Sequence, residues 1–307
     1  MWLDILITVL LVSLAGLAML PRWLSHENRY LSEVLKASPD IQTIRLRHGD
    51  THYHLKGENH NPIVVLVHGF SVPSFAWEAN QEALIENGFQ VLSFDLYGRG
   101  FSARPSVKYS QTLFVEQLND LLQALNIYKP VHLVGLSMGG AVVSFFNKTY
   151  PDKVASTCLL APFSKPIPIG PLKLPVLGRY LAYVFYIPSM LKNQIKDFVK
   201  PEMLDFWQGR YEEQMSIKGF RNAIFSSANY AIQEDPQPAF HSFSGKPCLL
   251  LWGREDELFP LEESKLVRES LGDSHEFQII DEAGHGLQFE QADMVNHALI
   301  EFLKKHS

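Results

Sequence analysis

The sequence predicts an α/β protein with a mostly parallel, doubly wound sheet, a helical cap insertion and an N-terminal transmembrane helix. Three observations predict this architecture. Short apolar runs alternate with segments of helical periodicity, which is typical of βαβ units. The stretch at about 163–240 contains no strand-like run and therefore reads as an insertion. Residues 2–20 are almost uniformly apolar, as in a helix that crosses a membrane.

Length and composition exclude several classes of protein. With 307 residues, 46% of them hydrophobic and 20% charged, the chain can bury a core and is not disordered. The formal net charge is -6, so we expect no nucleic-acid partner. Cys158 and Cys248 each lie in an apolar run and are expected to be buried, reduced thiols. No CxxC or HExxH spacing occurs, and the pair His52 and His54 has no third ligand, so the sequence predicts neither a metal nor a cofactor.

The N-terminal run, WLDILITVLLVSLAGLAML, has Asp4 as its only charged side chain. As a helix it would extend about 28 Å, close to the thickness of the hydrocarbon core. Trp2 and Trp23 flank it at the positions of interfacial aromatic residues, and Pro21 favours its end. We therefore predict a transmembrane anchor at 2–24.

Two alternatives to the anchor are a cleaved signal peptide and a buried helix of the soluble domain. A signal peptide favours basic residues before its apolar run, and this chain has none there. A helix that packs on a soluble domain would have one polar face, whereas this run is apolar on every face. Basic residues follow the run instead, and they place the C-terminal domain on the cytoplasmic side: Arg22, Arg29, Lys36, Arg45 and Arg47.

A polar connector at 25–40 precedes the domain predicted at 41–307. Eight runs in that domain have strand character: 41–47, 51–56, 62–69, 89–95, 131–137, 154–161, 246–253 and 275–281. Several of them are continuously apolar, as expected for parallel strands covered on both faces. A hairpin is predicted at His48–Asp50, and a helix is predicted from an apolar stripe: Phe114, Leu118, Leu121, Leu122 and Leu125.

The predicted cap is rich in prolines and aromatic residues. Four prolines fall between 166 and 175, and eleven aromatic side chains follow by Tyr230. An insertion of this length between two strands is typical of a lid over the sheet. Most of these aromatic side chains are expected to form the small core of the cap itself.

The strongest chemical signal is the segment Gly135-Leu136-Ser137-Met138-Gly139-Gly140. It follows an apolar strand and precedes a helical segment, which is the context of a nucleophile elbow. A turn this tight requires small residues at Gly135 and Gly139 and exposes the Ser137 hydroxyl above the sheet. The alternative interpretation is a glycine-rich turn with an incidental serine.

A serine hydroxyl needs a general base, and a third group must orient that base. After a G-x-S-x-G turn, the acid and then the histidine follow along the chain. Asp256 follows one apolar strand, and His285 follows the final strand between two glycines. Ligands of open α/β sheets bind at these carboxyl ends. We therefore predict Ser137, Asp256 and His285 as a catalytic triad.

Three other acids could compete with Asp256. Glu255 and Glu257 flank it, but the offset from Trp252-Gly253 favours Asp256. Asp95 precedes the serine along the chain, so it is interpreted as an acid that organises its loop.

An oxyanion hole requires two backbone N–H groups that point at the developing charge. Met138 directly follows the nucleophile and should supply one. Phe70, in the loop after the strand VVLVHGF, should supply the other. His68 in that loop is interpreted as a structural histidine.

These motifs closely resemble the α/β-hydrolase superfamily, in particular its lipase, esterase and monoacylglycerol-lipase-like branch. The matching segments are HGF (68–70), DLYGRGFSARP (95–105), GLSMGG (135–140), WGREDELFP (252–260) and AGHG (283–286). The resemblance implies an α/β-hydrolase fold with one antiparallel strand and a helical cap. It also implies that Ser137 is the nucleophile, Asp256 the orienting acid and His285 the base. The serine departs from the dehalogenase and epoxide-hydrolase branches, which use aspartate.

Three functions remain open from the sequence. The first is hydrolysis of carboxylic esters in lipid-like or apolar small molecules through an acyl-enzyme. The second is a C–C bond hydrolase with the same triad, although such enzymes are usually soluble. The third is a non-catalytic ligand-binding protein, although proteins of that kind typically lose a triad member. The sequence does not predict the natural substrate or the oligomeric state.

Overall fold

The computed structural model of the chain describes residues 1–200, 202–243 and 245–307. Pro201, inside the predicted cap, and Ser244, just after it, lie outside the described residues. Eight strands are found in the described part of the chain: Thr43–Leu46 (β1), Gly49–Lys56 (β2), Ile63–Val67 (β3), Gln90–Phe94 (β4), Val131–Leu136 (β5), Val154–Leu160 (β6), Cys248–Gly253 (β7) and His275–Ile280 (β8).

These strands form one sheet in the order β1-β2-β4-β3-β5-β6-β7-β8. Only β2 runs antiparallel to its neighbours, and all other adjacent pairs in this described sheet are parallel. Strands β4, β5 and β7 are buried along their whole length, as expected for parallel strands that are covered on both faces. Because parallel strands place their carboxyl ends at one edge, this topology brings the loops after β3, β5, β7 and β8 together.

The hairpin between β1 and β2 differs slightly from the prediction. Leu46 pairs with Gly49, so the turn consists of Arg47 and His48 rather than His48–Asp50. Gly49 adopts a φ of +136°, and a Cβ atom there would collide with the side chain of Ala103. The glycine is therefore needed as the first residue of β2, and not inside the turn.

Thirteen α-helices are assigned within the described residues: Trp2–Trp23 (α1), Leu31–Ala37 (α2), Glu78–Glu86 (α3), Gln111–Ala124 (α4), Met138–Thr149 (α5), Leu177–Leu181 (α6), Ile187–Asn193 (α7), Met203–Ser216 (α8), Phe220–Asn229 (α9), Gln237–Phe240 (α10), Ser264–Leu271 (α11), Leu287–Glu290 (α12) and Ala292–Lys305 (α13). Helices α3, α12 and α13 pack together as one group, and α4, α5, α10 and α11 pack as another. Two such helical groups with a sheet are the layers expected of a doubly wound fold.

The segment between β6 and β7 contains α6 to α10 and supplies a second, smaller apolar core. Its buried side chains are Ala182, Ile187, Met190, Tyr211, Met215, Phe220 and Ile224. Phe70 and Val72, from the loop after β3, pack against this core. The cap is therefore in contact with the loop predicted to carry an oxyanion donor. The predicted fold, a mostly parallel sheet with a helical insertion and an apolar N-terminal helix, is confirmed.

Helix α1 has no buried residue and is long and apolar enough to cross a membrane. Its C-terminal part contacts the cap. The Tyr180 hydroxyl donates a hydrogen bond to the Leu17 carbonyl oxygen at 3.0 Å, and the Arg221 guanidinium donates one to the Pro21 carbonyl oxygen. Arg221 also pairs with Glu27, just after the helix, with an Nε–Oε2 distance of 3.1 Å. The N-terminal segment is thus joined to the cap rather than to the sheet.

Candidate active site

The turn between β5 and α5 holds Ser137 in a strained conformation. Its φ and ψ are +55° and -118°, which is rare for a residue with a side chain. A Cβ atom on Gly135 would collide with the Gly139 carbonyl, and one on Gly139 with the Val67 carbonyl. The Ser137 N–H donates to the Leu160 carbonyl oxygen at 2.8 Å, which holds the turn on β6. Both glycines therefore have the steric role that the sequence suggests.

Asp256 and His285 meet at the carboxyl ends of β7 and β8. The His285 Nδ1 and the Asp256 Oδ2 are 2.8 Å apart, and both side chains are buried. The other oxygen, Oδ1, accepts hydrogen bonds from the N–H groups of Leu258 and Phe259 at 2.9 and 2.8 Å. The loop that carries Asp256 therefore fixes this carboxylate, and the carboxylate in turn orients the His285 imidazole. With Nδ1 protonated toward Asp256, Nε2 is left to accept a proton.

The surroundings of His285 act in opposite directions on its pKa. Burial disfavours the imidazolium and lowers the pKa. The charge and hydrogen bond of Asp256, with a smaller contribution from the charge of Asp197, favour the imidazolium. The carboxylates prevail, so the pKa of His285 is raised above its ordinary value.

Ser137 and His285 line one cavity of about 360 Å³ beneath the cap. Phe70, on the loop after β3, also lines it. Much of the remaining lining is apolar: Val72, Ala76, Leu136, Met190, Trp207 and Leu258. A reacting group in this cavity would lie between the predicted nucleophile and the predicted base. The volume is at the small end of the range for ligand pockets.

The two predicted oxyanion donors flank Ser137. Phe70 lines the cavity, and Met138 is the first residue of α5, where an N–H has no helical partner. Among the described residues, neither N–H has a hydrogen-bond acceptor. A Cβ atom on Gly69 would lie 3.4 Å from the Ser137 Cβ, so the loop after β3 passes directly beside the nucleophile.

His68 and Arg99 hold this loop in place. The His68 Nδ1 is 2.9 Å from the Gly69 carbonyl oxygen, and its Nε2 accepts the Leu96 N–H at 2.9 Å. Because Nε2 accepts a hydrogen bond, Nδ1 carries the proton and donates to the Gly69 carbonyl oxygen. This hydrogen bond fixes the peptide group between Gly69 and Phe70, which includes the Phe70 N–H. Burial lowers the pKa of His68 to about 4, which keeps the ring neutral. The Arg99 Nε donates to the Phe70 carbonyl oxygen at 2.8 Å.

Asp95 lies in a different environment from the site. It accepts hydrogen bonds from the N–H groups of Ser74 and Phe101, and its Oδ2 is 2.8 Å from His52 Nδ1. Burial opposes its ionisation, but His52 and these hydrogen bonds hold the pKa of Asp95 well below its usual range. Its partners organise the loop after β4.

The glutamates beside Asp256 form no hydrogen bond with the His285 ring among the described residues. Both are exposed, whereas Asp256 is buried. The Glu255 carboxylate accepts the Ala283 N–H at 3.0 Å, which ties the loop after β7 to the loop that carries His285. The geometry supports the offset argument that favours Asp256.

Two acids near the site were not predicted from the sequence. Asp197, from a cap turn at Gln194–Asp197, lines the cavity, and burial raises its pKa to about 6. Its carbonyl oxygen accepts the Gly286 N–H at 2.9 Å, and Glu290 accepts the N–H groups of Gly284 and Val199, both at 2.7 Å. The cap carries no recognisable motif, so no sequence signal indicated these contacts.

The described residues bring no three His, Cys, Asp or Glu side chains together as a metal-binding group. The site consists of a serine, a histidine–aspartate pair and backbone donors around one cavity. This is the arrangement used for nucleophilic attack on a carbonyl group.

Comparisons with known proteins agree with this fold. Residues 64–298 match the α/β-hydrolase family. A dihydrolipoyllysine-residue acetyltransferase component of an acetoin cleaving system from Pseudomonas putida is 30% identical to this chain. The match covers 83% of this chain and 66% of the length of that protein. A 2-hydroxy-6-oxo-6-phenylhexa-2,4-dienoate hydrolase from Comamonas testosteroni is 27% identical over 83% of this chain and 91% of its own length. The structure of a meta-cleavage product hydrolase from Pseudomonas fluorescens IP01 aligns with a TM-score of 0.72 at 23% identity, over 88% of this chain and all of that chain. The chain belongs to the α/β-hydrolase family.

Proposed function

We propose that this hydrolase is a membrane-anchored serine esterase that cleaves carboxylic esters of apolar or lipid-like molecules. The observation that carries the proposal is the 2.8 Å contact of Asp256 with His285, because His285 lines the same cavity as the strained Ser137. A buried, oriented imidazole that shares a cavity with a serine at a strained turn supports the conversion of a weak hydroxyl into a nucleophile.

The proposed reaction proceeds through an acyl-enzyme. His285 Nε2 removes the proton as Ser137 Oγ attacks the ester carbonyl, and the imidazolium is stabilised by Asp256. The N–H groups of Phe70 and Met138 bind the oxygen that becomes negative. His285 then protonates the departing alcohol, and a water molecule activated by the same imidazole releases the acid. Residues of this chain provide the nucleophile, the base and the oxyanion donors for these steps.

The preference for an apolar ester rests on the cavity and on α1. Apolar side chains from the sheet loops and the cap dominate the cavity wall, as for ligands with a hydrocarbon chain. Helix α1 would hold the enzyme where such esters partition. The basic residues after α1 favour a cytoplasmic position for the catalytic domain.

A C–C bond hydrolase is the second candidate, and the relative from Comamonas testosteroni favours it. The name of that relative's substrate, a dienoate, implies a carboxylate. In this chain Asp197 lines the cavity, and Lys196, the one lysine or arginine among the described lining residues, is exposed to solvent. The Asp197 carboxylate disfavours a second carboxylate beside it, which favours a neutral ester.

A substrate series tests the assignment. We expect the purified enzyme to hydrolyse p-nitrophenyl esters, with kcat/KM rising as the acyl chain lengthens until the cavity is filled. A dienoate ring-cleavage product should be hydrolysed far more slowly. The matched control is Ser137→Ala, which should be inactive on both. Preferential hydrolysis of the dienoate, or no ester hydrolysis by folded enzyme, would contradict the proposal.

A further inference from the structure

The outer part of the cap, residues 170–200, exposes an unusual amount of apolar surface. Val176 is 87% exposed and Phe185 is 62% exposed. Other exposed apolar side chains in this segment are Leu174, Leu177, Ile195 and Val199. Exposed apolar side chains grouped in this way mark a surface that contacts another molecule or a membrane.

The same segment is basic, although the whole chain is acidic. It has five basic side chains and one acidic side chain, in a protein with a net charge of -6. The acidic residue, Asp197, lines the catalytic cavity. Lys173, Lys192 and Lys196 are exposed and form no ion pair with any residue that the structure describes. Apolar and basic side chains together fit a surface that is both apolar and anionic, such as a phospholipid headgroup layer.

The position of α1 shows which surface is within reach. The hydrogen bond from Tyr180 ends on Leu17, six residues before the end of the helix at Trp23. At about 1.5 Å per residue, that is about 9 Å inside the helix end. Helix α1 also packs against the cap turn at Ala182–Tyr186. If α1 crosses a bilayer with Trp23 at the interface, the cap beside Leu17 must lie at the boundary between the headgroups and the acyl chains.

We propose that residues 170–200 are a lipid-contact surface, seated in the anionic headgroup layer of the membrane that α1 crosses. Tyr186, Met190 and Asn193 belong to this segment and also line the catalytic cavity. The surface therefore lies between the bilayer and the cavity, and substrate passes from the lipid through the cap. The inference rests on the proposed anchoring by α1, but it does not depend on which bond the enzyme cleaves.

A fluorescent label tests the contact in the full-length chain. Cys158 and Cys248 are buried, so a thiol-reactive, polarity-sensitive dye reports on an added cysteine. We would label Val176→Cys and, as a control, Tyr128→Cys, which is 73% exposed and lies between α4 and β5. Each protein is reconstituted in phosphatidylcholine vesicles, with and without phosphatidylserine, and vesicle flotation verifies insertion.

The expected result is a blue shift at position 176 in vesicles, with quenching by lipids that carry a spin label near the headgroup, and neither effect at position 128. Phosphatidylserine should enlarge the shift, and added salt should reduce that gain. Lys173→Gln combined with Lys192→Gln should abolish the phosphatidylserine effect, whereas Lys129→Gln, at an exposed lysine elsewhere, should leave it unchanged.

Three results would overturn the inference, and they have different meanings. If the chain floats with vesicles while position 176 stays as polar and unquenched as position 128, the surface does not contact lipid. If the shift at 176 depends on protein concentration and not on lipid, a second copy of the chain covers the surface. If the chain does not float at all, the anchoring assigned to α1 is wrong, and the lipid contact fails with it.

Discussion

At the scale of single residues, the candidate site depends on Asp256, a buried carboxylate that is fixed by backbone hydrogen bonds independently of His285. Asp256 receives two backbone N–H bonds on one oxygen and contacts His285 through the other. A charge that the protein fixes in this way needs little rearrangement during a reaction, and this is the basis of electrostatic preorganisation. The neighbouring glutamates lack this geometry, because their side chains are exposed.

The first prediction concerns the identity of the acid. His285 must be neutral to accept a proton, so kcat/KM should rise with pH through a pKa above the ordinary histidine value, because Asp256 raises it. Asp256→Asn should lower kcat on the order of 10⁴-fold and move the remaining pH profile to lower pH. Glu255→Gln and Glu257→Gln are the matched controls and should retain activity. The measurement is kcat/KM from pH 5 to 9, and a glutamate variant as inactive as Asp256→Asn would show that the acid is misassigned.

The second prediction concerns the peptide between Gly69 and Phe70. His68 donates a hydrogen bond to the carbonyl oxygen of this peptide. His68→Gln should therefore let the peptide move more freely, while the Phe70 N–H remains present. We expect kcat to fall by less than the about 10²–10³-fold cost of losing an oxyanion donor, with KM little changed. The pH profile should not move, because the ring of His68 is already neutral. Unchanged kcat in a variant of normal Tm would argue against this role.

Sequence reasoning reached these residues to different degrees. Ser137, Asp256 and His285 follow in the order that a nucleophile elbow requires, and the structure brings Asp256 and His285 into contact. Their catalytic roles stay predictions. Asp197 was not foreseen, because the cap has no motif and its approach to the cavity depends on how two distant segments pack. Sequence patterns report local periodicity and do not report such packing.

At the scale of elements, the eight strands could be predicted because each is a short run of apolar or alternating residues bounded by turn signals. The turn between β1 and β2 begins one residue earlier than predicted and ends two residues earlier, because Gly49 already pairs with Leu46 and has a positive φ beside Ala103. The small helices of the cap could not be delimited from sequence. Their prolines and evenly distributed aromatic residues give no clear period.

The third prediction concerns the contact between the cap and the histidine loop. Glu290 accepts N–H groups from Val199 in the cap and Gly284 beside His285. The two N–H groups are accepted by different oxygens of Glu290, and glutamine has only one oxygen, so Glu290→Gln should lose one of the two hydrogen bonds as well as the charge. It should lower the free energy of unfolding by about 1–3 kcal/mol. It should also increase amide hydrogen exchange in residues 194–200. The control is Glu262→Gln, at an exposed glutamate whose side chain has no hydrogen bond among the described residues. Equal stability and exchange in both variants would contradict this role for Glu290.

At the scale of the whole molecule, α1 and the cap form one continuous surface that is separate from the sheet. Helix α1 contacts the cap at Tyr180, Arg221 and the turn Ala182–Tyr186, and among the described residues none of these contacts involves a residue of the predicted triad. The apolar helix and the predicted catalytic residues are therefore structurally separable. The proposed membrane attachment would determine where the protein meets its substrate, whereas the proposed chemistry belongs to the loops at the sheet edge.

The fourth prediction follows from that separation. Deletion of residues 1–24 removes an apolar helix that has no buried residue, and the Glu27–Arg221 pair remains. The truncated enzyme should be soluble, with kcat/KM on water-soluble short-chain esters close to that of the full chain. Membrane fractions washed with alkaline carbonate should release it completely. A truncated protein that misfolds, or that resists the wash, would contradict the anchor assignment.

The most direct test of the central claim is covalent labelling of the nucleophile with a fluorophosphonate, followed by mass spectrometry of the modified peptide. We expect one stoichiometric adduct on Ser137, formed faster as His285 loses its proton with rising pH. Ser137→Ala should not be labelled, whereas Ser71→Ala, which changes another serine of the same cavity, should be labelled like the wild type. An adduct on Ser71 or any other residue, or no adduct on the folded wild-type enzyme, would contradict the account.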